Sequence, residues 1–238
     1  MGIMEKVSII INSYNDNQLF LSQAIKSYLN QRKVDLQLII STVKKDPSII
    51  TAEKINKNID VVINEKAGIY SQLNYALNYI DGDWFAYASG NDVALHEKLF
   101  DEVSLCKGNK KVCYSAFYSS NENLKNKRLT KLRKYNYQQH LKGNFVSDLG
   151  LLRVDLLHKY MPFIEKYGNH AYWDFWLRIA EGEGPTCFVY NPKPEWIYRI
   201  SKDSRHIRRK KDKAWQKRNT KARHKMLADH IKSNRHIK

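Results

Sequence analysis

The sequence predicts an open, twisted and mostly parallel α/β sheet flanked by helices, followed by a basic helical tail. Three observations carry this. Strand-sized apolar runs alternate with segments whose apolar residues recur at helical spacing. The runs are nearly continuous, as in strands buried on both faces of a parallel sheet. Turn residues close them, and open α/β sheets gather ligands beyond the carboxyl ends of their strands.

"VSIIINSYN" supplies the first strand through Val7, Ile9, Ile10 and Ile11, and Asn12-Ser13-Tyr14-Asn15-Asp16-Asn17 ends it. "LFLSQAIKSYLNQ" follows as a helix, with Leu21, Ala24, Ile25, Tyr28 and Leu29 on one face. "LQLII" at 36–40 and "VVI" at 61–63 are the next strands, and residues 70–80 are a helix that turns Leu73, Ala76, Leu77 and Ile80 inward. The fourth strand, "WFAYA" at 84–88, runs into Ser89-Gly90-Asn91-Asp92, and a helix-like pattern resumes at Val93. In the second half, "CYSAFYSS" at 113–120 reads as a strand and 121–145 as a polar loop or insertion. "VDLLHKYMPF" and "YWDFWLRIAEG" read as helices, the latter stopped at Gly182. "PTCFVYNPKPEWIYRI" reads as two short strands separated by Pro192 and Pro194.

Composition sets the limits. With 238 residues, 42% of them hydrophobic, the chain can bury a sizeable core. No apolar run is long enough to span a bilayer. The opening Met1-Gly2-Ile3-Met4-Glu5-Lys6 has neither the apolar core of a secretory signal nor Ser or Thr at position 6 for myristoylation. Cys106, Cys113 and Cys187 are too few and too scattered for a disulfide framework or a metal knuckle. A cytoplasmic protein is expected, peripheral at the inner membrane face if its tail binds lipid. Of the net charge of +17, residues 202–238 account for 15 Lys/Arg against 3 Asp/Glu. A tail of that charge seeks a polyanion, or else is a solvated extension. The expected division is a domain over 1–201 and a basic tail over 202–238.

Four segments carry a resemblance: "VSIIINSYNDNQLFLSQAIKSYLNQ", "KAGIYSQLNYALNYIDGDWFAYASGND", "YWDFWLRIAEG" and "WIYRISKDS". In this order they resemble the inverting family 2 glycosyltransferases of the GT-A, Rossmann-like nucleotide-binding fold. The resemblance implies transfer of a sugar from a nucleotide-diphosphate donor, probed first with UDP-linked sugars, to a hydroxyl acceptor. It also implies a divalent metal, Mn²⁺ or Mg²⁺, on the diphosphate. Ser13, Tyr14, Asn15 and Asp16 then hold the base and ribose, Gly68 lets the backbone approach the donor, and Asn74 faces the same cleft. Asn91 joins them at the donor, and Asp92 with Asn91 holds the metal. Arg199 contacts the diphosphate, or pairs with a neighbouring carboxylate. For the base that takes the acceptor proton, Asp174 is the first choice and Asp148 the second, although Asp174 also stands at i,i+4 spacing from Arg178.

The sequence departs from the family pattern. Thr42 and Val43 stand where an Asp pair usually reads the nucleobase, and Ser89 and Asn91 replace two acidic positions. Ala171 and Tyr172 replace a Glu-Asp pair, and Ser201 replaces a metal-binding His. A fold that binds nucleic acid and has lost transfer is therefore the alternative class. On the tail, Arg205, Arg208, Arg209, Lys210, Lys211, Lys213, Lys217 and Arg218 are the expected polyanion contacts. Nucleic acid is favoured over an anionic membrane surface. The acceptor would be a modified DNA base, stacked on the aromatic cluster at 172–176. A membrane-surface enzyme of polysaccharide or glycolipid synthesis is the other reading of the same charge.

Overall fold

The structure is a computed structural model that describes residues 4–201 and 212–234. Its sheet has the order β3-β2-β1-β4-β8-β6-β9-β5, with β7 on the side of β6. β1 (Lys6–Asn12), β2 (Asp35–Thr42), β3 (Ile59–Ile63) and β4 (Trp84–Ser89) are mutually parallel, as expected. Their crossovers run through α1 (Gln18–Leu29), α2 (Pro47–Ile55) and α3 (Ile69–Ala76). Beyond β4 the sheet is mixed: β8 (Leu151–Arg153) runs antiparallel to both β4 and β6 (Val112–Asn121), and β6 runs parallel to β9 (Phe188–Ile200). The strand order reverses between β1 and β4, which places the switch point where the loops at 13–16 and 89–92 emerge.

β1 shows why a continuous apolar run reads as a doubly covered strand. Val7, Ile9 and Ile11 pack against Leu21, Ile25 and Tyr28 of α1, while Ile10 points to the other face, towards Leu73 of α3 and Trp176. Side chains alternate across a strand, so only a sheet with helices on both faces buries all four. The second face is closed by α6 (Val154–Tyr160) and α7 (Ala171–Glu183).

Several boundaries differ from expectation. Val93–Ala94 is a short strand, β5, paired with β9, and the next helix, α4, begins at Lys98 (Lys98–Leu105). The polar stretch 121–145 holds β7 (Arg128–Thr130) and α5 (Tyr137–Lys142). β9 is one strand rather than two. Asn191 pairs with Ser115 and Pro194 with Ala116, so Pro192 and Lys193 bulge out and the missing proline N–H costs no ladder bond there. The tail helix α8 (Lys213–Asn234) docks on the body through Met226, which joins Tyr167, Trp173 and Leu177 in a small core.

Candidate functional site

β1 delivers the first part of the site. After Asn12, the Ser13 N–H donates to Ser41 O at 2.9 Å and the Asn15 N–H to Asp46 Oδ2 at 2.8 Å. Asn15 adopts a left-handed conformation (φ 51°), and Tyr14 stands exposed beside it. Asp46 also caps α2 through the Ser48 N–H at 2.8 Å. Burial raises the Asp46 carboxyl, but the hydroxyl and N–H donors around it outweigh that and leave it lowered. Sequence reading missed Asp46; its N-cap position before Pro47 was the available signal.

The neighbouring parts converge on the same end of the sheet. Asn12 Nδ2 donates to Ile69 O at 2.7 Å, which brings Gly68 and the start of α3 against β1. Gly68 has φ 131°, a conformation that side chains rarely adopt. A Cβ on Gly90 would lie 2.7 Å from Asp16 Oδ2, so glycine there lets the Asp16 carboxylate lie on the backbone leading out of β4. Ser13, Tyr14, Asn15, Asp16, Gly68, Asn91 and Asp92 therefore surround the switch point. Asn12 Oδ1 and Ser13 Oγ are buried there with no hydrogen-bond partner among the described residues.

Two of the expected donor contacts are corrected. Asn74 does not face the cleft: both ends of its amide are bound to the backbone of Phe163, at 2.9 and 2.8 Å. Arg199 is a buried tie rather than a diphosphate ligand. Its Nε donates to Asn91 O at 2.8 Å, its Nη1 to Glu122 O and its Nη2 to Gln23 Oε1 at 2.6 Å, and its guanidinium lies 4.1 Å over the Phe20 ring. Those bonds, with the Arg199 N–H to Asp92 Oδ1 at 2.9 Å, fix the 91–92 turn against β9 and α1.

Asp92 is buried, and burial pushes its carboxyl up to about 7 against the pull of the Arg199 N–H and charge and the Ser89 hydroxyl. Among the described residues, no three His, Cys, Asp or Glu side chains gather into a site that could hold an ion by themselves. Mg²⁺ and similar hard cations are held by one or two carboxylates together with substrate phosphates, and Asp92 with the neutral oxygen of Asn91 fits that limited role.

Asp92 also lines a cavity of about 320 Å³ whose walls include Phe117, Phe145, Trp196 and Tyr198 together with Asp148. Asp148 is partly exposed, and desolvation pushes its carboxyl up to about 7. Asp174 lies elsewhere. It is buried under α8, where its Oδ2 accepts from Arg178 Nε at 2.9 Å and its Oδ1 lies 3.1 Å from His230 Nε2. The expectation that Asp174 faces the acceptor is thereby corrected: the i,i+4 pair with Arg178 forms, and the tail helix closes over it. The aromatic cluster is corrected as well, since Tyr172, Trp173, Phe175 and Trp176 are each at most 3% exposed and leave no face for a base to stack on.

On the tail, Lys213, Lys217 and Arg218 are exposed on α8, whereas Arg205, Arg208, Arg209, Lys210 and Lys211 lie outside the described residues. Lys221, Lys225 and Lys232 are exposed on the same helix. No helix among the described residues is long and apolar enough to cross a membrane.

Comparison with known proteins agrees with this geometry. The model of the family described as Glycosyl transferase family 2 matches residues 8–161. An uncharacterized glycosyltransferase of Methanocaldococcus jannaschii is 26% identical over 199 residues, covering 77% of this chain and 68% of that protein. Staphylococcus aureus TarS aligns with a TM-score of 0.64 at 16% identity, over 82% of this chain but only 37% of its own. The mannosyltransferase PcManGT from Pyrobaculum calidifontis, solved with GDP-Man and Mn²⁺, aligns at 0.66 and 14% identity, over 97% of this chain and 65% of its own. The likeness to these structures establishes the GT-A fold.

Proposed function

The chain belongs to glycosyl transferase family 2, and on that premise we propose that it moves a sugar from a nucleoside-diphosphate donor to a hydroxyl acceptor, with inversion at the anomeric carbon. The observation that carries this is the pair of buried, unpartnered oxygens at the end of β1, Asn12 Oδ1 and Ser13 Oγ. Buried polar atoms are almost always hydrogen-bonded, and these two stand at the switch point where doubly wound folds take up nucleotides. Complexes of similar folds with UDP, UDP-GlcNAc and GDP-Man support the donor class. Ser13 to Asp16 and Gly68 hold the nucleoside end of the donor. Asp92 and Asn91 hold the divalent ion, which when bound offsets charge on the departing diphosphate. Calorimetry with UDP and with GDP in the presence of Mn²⁺ tests the assignment. Ser13→Ala should weaken binding about fivefold, the worth of one hydrogen bond of about 1 kcal/mol. Equal binding by both proteins would remove Ser13 from the site.

The acceptor reading rests on α8. Lys213, Lys217, Lys221 and Lys225 recur every fourth residue on its exposed side, with Arg218 alongside and Ile231 the large apolar side chain exposed there. An interfacial membrane helix needs a broad apolar face, whereas a helix that tracks phosphates needs charge alone. This supports a polyanionic partner, nucleic acid before anionic membrane, with the sugar passing to a hydroxyl it carries. Duplex DNA binding followed against salt tests this. Reversing the four lysines to Glu should flatten the slope of log K against log salt by up to about four. A protein that ignores DNA but sediments with phosphatidylglycerol vesicles is a membrane-surface enzyme instead.

A further inference from the structure

We propose that the acceptor proton is taken by Asp148, on the loop between α5 and β8, and that the late helix α7 supplies no base in this chain. The inference rests on the transferase reading above. α7 begins with Ala171 and Tyr172, and its one carboxylate near that end, Asp174, is bound by Arg178 and His230 in the interior. Asp148 meets the requirement within the cleft. It lines the same cavity as Asp92, so a sugar seated there has a second carboxylate beside it as well as the group that faces the diphosphate. Inversion needs such a second group, because leaving group and attacking hydroxyl stand on opposite faces of the anomeric carbon. No hydrogen bond or ion pair within the described protein occupies the Asp148 side chain, and desolvation is the cause that keeps its basicity near neutral. The ideal base has a pKa near the working pH.

The loop is built to hold that carboxylate in place. The Val146 N–H donates to Asn144 Oδ1 at 3.2 Å, the Leu149 N–H to Ser147 Oγ at 3.1 Å, and the Gly150 N–H to Ser147 O at 3.2 Å. Gly150 lies so close to β6 that a Cβ would stand 2.9 Å from Cys113 O. Below the loop, the fully buried Lys98 ammonium pairs with Glu102 and donates to Leu149 O at 3.0 Å. A buried ion pair is a costly way to anchor one carbonyl, and it fixes the residue next to Asp148. Tyr172 stands behind, its hydroxyl buried without a partner; burial first, and then Tyr87 and Asp148, raise its phenol.

The step balances on these groups. The acceptor O–H proton passes to an Asp148 carboxylate oxygen as the acceptor oxygen bonds to the anomeric carbon. The bond from that carbon to phosphate oxygen breaks, and its electron pair leaves with the nucleoside diphosphate.

The test is release of nucleoside diphosphate from UDP-glucose, UDP-N-acetylglucosamine and GDP-mannose with Mn²⁺, water serving as acceptor, run on wild type, Asp148→Asn and Asp174→Asn. Removing an unpartnered, desolvated charge should leave the Tm of Asp148→Asn equal or higher and its affinity for UDP or GDP unchanged. Its turnover should fall about 100-fold or more, as for loss of a general base. Asp174→Asn should lose Tm and keep turnover per folded molecule. Wild-type turnover retained by Asp148→Asn overturns the assignment and leaves the transferase reading standing. A wild type that neither binds nor cleaves any of the three donors overturns both.

Discussion

Asp174 and His230 belong to one buried network. His230 Nδ1 lies 2.7 Å from Glu181 Oε1 and its Nε2 3.1 Å from Asp174 Oδ1, and Tyr137 donates to the same Glu181 oxygen at 2.7 Å. Burial alone would lower the imidazole, but its bonds to the two carboxylates outweigh that and raise it to about 9. A folded-state pKa above the unfolded value near 6.5 contributes stability that is complete below about pH 6.5 and is lost as pH rises through 9. Chemical denaturation from pH 6 to 10 should show that decline, and His230→Gln should flatten it. A decline of equal size in the variant would place its origin elsewhere. Breaking the pair from the other side, Asp174→Asn is expected to cost about 3 kcal/mol in urea unfolding, because it leaves the buried His230 and the half-buried Arg178 as cations with one partner fewer. The sequence showed Asp174 and Arg178 at pairing distance on one helix. It did not show His230, 56 residues further on, because a contact of that separation is set by how α8 docks and not by local spacing.

The elements that read most directly were those with continuous apolar runs or strict helical spacing: β1, β2, β4, α1 and α7. Short elements escaped. β8 has three residues and β5 two, and each exists only because a longer neighbour offers it a ladder. The 202-onward tail read as helix-compatible charge, and what periodicity could not reveal was that Met226 and His230 anchor α8 on the body. Deleting the tail would therefore uncover Trp173 and Leu177 as well as remove charge, so surface lysine reversal is the cleaner probe of partner binding. The turn before β4 makes a sharper demand. A Cβ on Gly82 would stand 2.7 Å from the Ser8 N and 2.9 Å from Lys6 O, both backbone atoms of the central strand or its start. Gly82→Ala should cost about 2 kcal/mol in urea unfolding, in the range of overpacked interiors. A variant as stable as wild type would show that the turn can move away from β1 freely.

At the scale of the molecule, one half of the sheet is regular and the other improvised. The parallel half, with its reversal of order between β1 and β4, gathers the loops at 13–16, 68 and 89–92, and this half was legible because each strand is followed by its own crossover. The mixed half brings Asp148 into one cavity with Asp92 through β8 and β6, strands that pair antiparallel and far apart in sequence. For that reason Asp148 stood second to Asp174 on sequence grounds, while the structure places it in one cavity with Asp92. The charge is divided as well, with carboxylates at the cavity and exposed lysines on α8. The most direct measurement of the central claim is proton NMR of the anomeric centre during turnover of an α-linked nucleoside-diphosphate sugar with Mn²⁺. Displacement between Asp92 and Asp148 should release the nucleoside diphosphate and give a β-configured product first. A product that first appears with the α configuration, or a donor left intact by a protein that binds it, would contradict inverting transfer at this site.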